Sequence, residues 1–255
     1  MADSPRTRRE PPQFRGVLVR GVESLTPYMV RVTFGGEELN GFTVAQPAAS
    51  LRLLLPTPGT TGLVMPTWDG NLFLLPDGER ATIRTFTPRL SDPANELSVD
   101  VVIHEAGAAS NWVQHAQVDD PAAISGPGRG YAIDPAATGF VIAGDETAIP
   151  AIGQLLTAFP HDRQVRVIIE VRHLEARISL SDHPSASVDW LELPSGAAPG
   201  AFLVEALSTV EIEPDTRIWV AGEAGAMQRI RQHLFEERDL PRAAATVRGY
   251  WKLRG

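Results

Sequence analysis

Gly139-Phe140-Val141-Ile142-Ala143-Gly144-Asp145-Glu146-Thr147-Ala148-Ile149-Pro150 decides the fold of this chain. Its first five residues are a continuous apolar run, Gly144 to Thr147 reads as a turn, and Ala148 to Phe159 repeats apolar side chains at helical spacing. Pro150 fits the first turn of that helix, where a missing N–H has no intrahelical partner to lose. The rhythm recurs downstream: Val165 to Val171 reads as a buried strand, Phe202 to Leu207 as a short helix, and Arg217 to Ala221 as a strand. Gly222-Glu223-Ala224-Gly225 then leads into a helix over Ala226 to Arg238, and Ala244 to Trp251 reads as a last strand. Ser181 to Gly200, with several Pro, Ser and Gly, is expected to be a surface connection. Strands alternating with helices predict a parallel sheet wound by crossovers.

Upstream the pattern differs. Val17 to Val22, Tyr28 to Phe34, Leu51 to Leu55, Thr82 to Thr87 and Leu97 to His104 are short apolar segments separated by Pro and Gly clusters, which predicts a small antiparallel barrel. Thr57 to Gly78 reads as a long loop with one short strand at Leu72 to Leu75, Ser110 to Ala116 as two helical turns, and Ala122 to Ser125 as a return strand. The expected class is therefore mixed β and α/β, with an N-terminal antiparallel β-barrel over 14–135 and a parallel, nucleotide-binding-like α/β domain over 136–255. Residues 1–13, rich in proline and arginine and without an apolar segment, read as a disordered arm rather than a signal peptide.

Composition narrows the function. A formal charge of -8 and a pI near 5.3 argue against general nucleic-acid binding, so an anionic partner must meet a local basic pocket. No apolar run approaches the roughly 20 residues that span a bilayer, so no membrane insertion is expected and the expected compartment is the cytoplasm. The absence of cysteine removes thiol catalysis, thiolate metal sites and all-cysteine iron–sulfur clusters. No Gly-x-Ser-x-Gly, His-Glu-x-x-His, P-loop or EF-hand pattern occurs, and the six histidines do not form a metal-ligand spacing.

Within the barrel half, Arg84-Thr85-Phe86-Thr87-Pro88-Arg89 carries polar groups on both faces of a strand. An aromatic face, hydroxyls and guanidinium groups suit a flat anionic ligand, and the same residues also fit a solvated edge strand. Gly107-Ala108-Ala109-Ser110 precedes a helix whose free N–H groups would suit a pyrophosphate, or Ser110 is a plain N-cap. His104 fits a ligand contact as well as a loop histidine held by backbone. At the strand-to-helix corners Asp145 reads as a helix cap, leaving Thr147 and the backbone to face a pocket, with Glu223 at a comparable level. Either corner also fits an ordinary helix-start turn.

In this order the motifs resemble the siderophore-interacting protein family, flavin-dependent ferric-siderophore reductases related to the ferredoxin reductases. The resemblance rests on Arg84 to Arg89, Val101-Val102-Ile103-His104 with Gly107 to Trp112, Gly126-Pro127, Gly144 to Ala151, Ala221-Gly222-Glu223 and Gly249-Tyr250-Trp251-Lys252. It implies a bound FAD whose ring rests near Phe86, with Arg84, Thr87 and Arg89 at the ring edge and phosphates and Ser110 at the pyrophosphate. Phe86 stands where the family pattern has tyrosine. The resemblance further implies NADH or NADPH as donor, with a reduced ferredoxin as the alternative, and a ferric siderophore as substrate. Arg52, Arg129, Arg248 and Lys252 are the candidate cations for an anionic siderophore, and each also fits a solvated surface charge. Two other functions share these residues: a flavin reductase of another acceptor, and a siderophore-binding module without turnover.

Overall fold

The computed structural model describes residues 12–57, 60, 62–90, 95–104 and 107–253. The expected arm falls outside them except for its last two residues. The first half forms strands β1 (Arg15–Thr26), β2 (Met29–Gly35), β3 (Leu51–Leu54), β4 (Thr67–Trp68), β5 (Phe73–Leu74), β6 (Ile83–Phe86), β7 (Arg89–Leu90), β8 (Glu96–Val102) and β9 (Pro121–Ser125), with helix α1 (Ala108–Val113) before β9. Seven of these strands make an antiparallel sheet in the order β6-β3-β9-β1-β2-β8-β7. The chain passes from one edge of that sheet, β6, to the other, β7, through Thr87 and Pro88 alone, and β6 also touches β8. Arg84 to Arg89 is therefore the seam at which the sheet curls into a barrel. Val19, Val32, Phe34, Leu53, Val99 and Ile124 fill its interior. Trp112 of α1 lies parallel to Phe34, with ring centroids 6.2 Å apart. The long loop carries a two-stranded ribbon of its own, β4 against β5.

The second half contains β10 (Gly139–Asp145), α2 (Ile149–Ala158), β11 (Gln164–Val171), β12 (Ala186–Glu192), α3 (Ala201–Thr209), β13 (Arg217–Glu223), α4 (Ala224–Gln232) and β14 (Ala245–Trp251). Its sheet is parallel throughout, in the order β12-β11-β10-β13-β14. The apolar run of β10 is continuous because both its faces are covered: Phe140 and Ile142 face one core with α2, Val141 and Ala143 the other with α3 and α4. Gly144 is needed where β10 turns, since a Cβ there would strike Ala148 and lie 2.8 Å from the Ala221 carbonyl oxygen.

Two expectations change. The segment from Ser181 to Gly200 is not only a surface connection: it holds β12, paired with β11 from Ala186 to Glu192. As an edge strand with Ser187, Val188 and Asp189 exposed, β12 lacks the apolar run that marks the inner strands. The last helix is regular only to Gln232 and continues as a single π-turn over His233–Glu237.

The halves share a core in which Met29, Ala48 and Tyr131 of the barrel side pack with Phe140, Ile152 and Trp219. Gln154 of α2 fastens it, its amide accepting from the Ala48 N–H (2.9 Å) and donating to the Pro88 carbonyl (2.6 Å). Replacing Gln154 with Leu is expected to cost about 1–3 kcal/mol, read as a lower urea midpoint, because two part-buried backbone groups lose their partner. Tyr28 stacks on His173 across the same junction, at 4.6 Å between ring centroids.

Candidate functional site

β6 places the first site residues. On this edge strand Arg84 pairs with Leu53, Thr85 with Arg52 and Phe86 with Leu51. Arg84 and Thr85 are exposed, and one Arg84 N–H donates to the Ile83 carbonyl (2.8 Å). Phe86 is half-buried against the barrel interior, which leaves part of its ring for a ligand. Arg52 is also exposed, on the same face as Thr85, since paired residues point to one side of a sheet. Thr87 is buried where the chain crosses the seam, and Arg89 is half-exposed beyond it.

At the end of β8 the geometry is tighter than spacing suggests. The Ser110 hydroxyl donates to the His104 carbonyl (2.7 Å) and accepts from the His104 N–H (3.0 Å), and Ser110 is fully buried. It closes the loop between β8 and α1 and makes no side-chain cap; Gly107 holds the N-cap position. Gly107 has φ of +154°, and a Cβ there would strike the His104 imidazole. The imidazole is exposed, and its sequence neighbour Glu105 lies outside the described residues. The first N–H groups of α1 have no intrahelical acceptor. On β6 the exposed Arg84 guanidinium, the Thr85 hydroxyl and the half-buried Phe86 ring are of the kinds that fit the phosphates, ring edge and ring face of an FAD.

The parallel sheet meets this surface at β14. The Tyr250 hydroxyl meets the side chains of Thr87 and Arg248, and burial first of all pushes its pKa up. Next to it, the Trp251 indole N–H donates to Asp145 Oδ2 (2.8 Å). Asp145 Oδ1 takes both the Thr147 N–H (3.0 Å) and the Thr147 hydroxyl, so Thr147 is turned onto Asp145. Burial raises the Asp145 carboxyl, against the pull of these donors and of the Glu223 N–H. Glu223 accepts from Ala226 (2.9 Å) and Leu253 (3.2 Å). Burial raises its carboxyl too, but backbone donors and Arg229 outweigh that and leave it lowered.

Of the four candidate cations, Arg52, Arg129 and Lys252 are exposed. Arg248 differs: it donates to the carbonyls of Ala48 (2.9 Å), Arg129 (3.3 Å) and Gly130 (2.6 Å). Its charge straps β14 to the barrel. Gln154 and the Tyr250 hydroxyl escaped sequence reasoning, because neither has a local signal that it spans the two halves. Of the acidic strand ends, Asp145 and Glu223 were singled out from the sequence, while Glu170 and Glu192 were not.

A curled antiparallel barrel backed by a five-stranded parallel sheet is the two-part architecture of the ferredoxin reductase-like fold. A Neisseria gonorrhoeae ferredoxin NADP+ reductase shares that fold at 17% identity and a TM-score of 0.66, covering 93% of this chain and 99% of that one. Residues 18–131 match the siderophore-interacting FAD-binding domain and residues 137–254 the siderophore-interacting protein family. A siderophore utilization protein from T. fusca is 33% identical with a TM-score of 0.83, over 95% of this chain and 94% of that one. An NADPH-dependent ferric-chelate reductase of Escherichia coli is 28% identical over 97% of this chain and 96% of its own length. The chain belongs to the siderophore-interacting protein family, and its barrel is that family's FAD-binding domain.

Proposed function

We propose that this protein reduces the ferric iron of a siderophore in the cytoplasm, with NADH or NADPH as donor and FAD, held by the 14–135 barrel, as relay. The observation that carries the reading is the junction of seam and sheet: Thr87 at the end of β6 meets Tyr250 of β14, and Trp251 beside it is fixed to Asp145. That junction brings the end of β14 to the residue that follows Phe86, and the carboxyl end of a parallel sheet is where such folds take their ligand.

Bound FAD supplies the exchange between a two-electron donor and a one-electron acceptor, so that one NAD(P)H and two Fe(III) give NAD(P)+, one proton and two Fe(II). The protein's own groups do the rest. Arg84 and Arg89 neutralise phosphate charge, and Thr85 and Thr87 offer hydroxyls at the ring edge. In this reading the iron arrives as substrate, carried by its siderophore. Oxygen ligands of the catecholate and hydroxamate kind hold Fe(III) far better than Fe(II), so reduction loosens the complex. Exposed Arg52, Arg129 and Lys252 are the cations that attract an anionic complex.

The test is an anaerobic assay in which a ferrous chelator reports Fe(II) from several ferric siderophores with NADH, NADPH or a reduced ferredoxin supplied in turn. Release with a nicotinamide donor, dependent on FAD, is the expected result. Siderophore binding without Fe(II) would favour a binding module instead. Lys252→Ala is expected to raise KM for an anionic ferric siderophore about 3–10-fold with flavin content unchanged, the loss of one favourable charge. Equal kinetics would reduce Lys252 to a surface charge.

A further inference from the structure

Four adjacent strands of the parallel sheet carry a carboxylate at or next to their last residue: β12 at Glu192, β11 at Glu170 just before Val171, β10 at Asp145 and β13 at Glu223. Asp145 and Glu170 are register neighbours. Each carboxylate is aimed at backbone N–H groups. Glu170 takes Gly200 (2.6 Å), Phe202 (2.9 Å) and Leu203 (3.3 Å) at the start of α3, and is 3% exposed. Glu223 takes Ala226 at the start of α4, Asp145 takes Thr147 before α2, and Glu192 takes Leu174 (3.2 Å). Glu146 takes Arg172 N–H (2.6 Å).

Helix starts at this edge are where an open α/β sheet normally seats a dinucleotide's pyrophosphate. At α3 three of those donors, and at α4 the Ala226 N–H, already meet a carboxylate of the same sign as the pyrophosphate. Two exposed cations lie near the edge, Arg172 within electrostatic reach of Glu146 and Arg229 of Glu223. β14 carries no carboxylate, ending on Trp251 with Lys252 after it. An edge of this kind repels phosphate but suits a dihydronicotinamide ring, which becomes a pyridinium cation as it gives up hydride to the flavin.

We propose that the protein takes its donor by the nicotinamide–ribose end alone, and that Asp145, Glu170 and Glu223 keep the pyrophosphate and adenosine off the sheet edge. The proposal rests on the nicotinamide-donor reading above. It is tested by anaerobic stopped-flow reduction of the FAD-loaded protein with NADPH, NADH and reduced nicotinamide mononucleotide, from about 20 to about 500 mM salt, which changes the screening length several-fold. A built pyrophosphate seat, with two or three charge-assisted bonds, is worth on the order of a hundredfold in affinity. The expected result is a kcat/KM for the mononucleotide within about threefold of that for NADPH, and no fall in the NADPH rate as salt rises. An NADPH advantage of about thirtyfold or more, or a steep loss of NADPH rate with salt, overturns the proposal and leaves the donor reading standing. Flavin that dithionite reduces but no nicotinamide donor does would overturn both.

Discussion

Replacing Arg84 with alanine is expected to leave a folded protein that purifies largely without FAD and binds added FAD about 10–100-fold more weakly. The size follows from the charge-assisted bonds a guanidinium makes to phosphate, worth about 1.5–3 kcal/mol when lost. Folding should be nearly untouched, because the side chain is exposed on an edge strand and bonds only to its neighbour's carbonyl among the described residues. The flavin-to-protein absorbance ratio and titration of the apoprotein measure the effect. Arg84→Lys separates charge from geometry: it keeps the charge but not the fork, and should recover part of the affinity. Unchanged occupancy in the alanine variant would return this stretch to a solvated edge strand.

Asp145→Ala should have the largest effect on stability, about 2–4 kcal/mol, or on the order of 5–15 °C in Tm for a chain of this size. The carboxylate gathers the Trp251 indole, the Thr147 N–H and hydroxyl and the Glu223 N–H in one buried place, and alanine leaves them without it. With Trp251 released from Asp145, β14 should also hold the donor side less well, so flavin reduction by a nicotinamide should slow even in protein that stays folded. The pH dependence has a definite sign. Burial holds the Asp145 pKa above its ordinary value of 3.8. A carboxyl raised in this way contributes stability that is fully present below its unfolded value and is lost as pH rises through the folded one. Glu146 and Glu170 are raised by burial as well. The gap between wild type and Asp145→Ala should therefore be widest near pH 4 and narrow as pH climbs, which thermal melts across a pH series would show. A gap that widens toward neutral pH would mean that the hydrogen bonds to the ionised form outweigh burial.

Legibility followed burial. The inner strands of the parallel sheet could be read because two covered faces force continuous apolar runs, as in Val165 to Val171. β12 could not, since Val188 and Trp190 alternate with Ser187 and Asp189 on a half-open edge. Arg84 to Arg89 stood out as polar on both faces, yet its place at the barrel seam depends on β3 and β8, far away in sequence. Local chemistry also pointed to Ser110, but whether its hydroxyl met a ligand or the backbone of His104 was set by how α1 folds back. Arg248 shows the same limit: charge is written in the sequence, while the three carbonyls that engage it come from the barrel.

With the flavin site proposed at β6, the seam through Thr87 and Pro88 would couple cofactor loading to closure of the barrel. Two residues join opposite edges of the sheet, so the strand proposed to receive the flavin is also the fastening of its own container. Whatever binds at β6 must act as a staple across that seam, worth about 2.7 kcal/mol at a hundredfold excess over Kd.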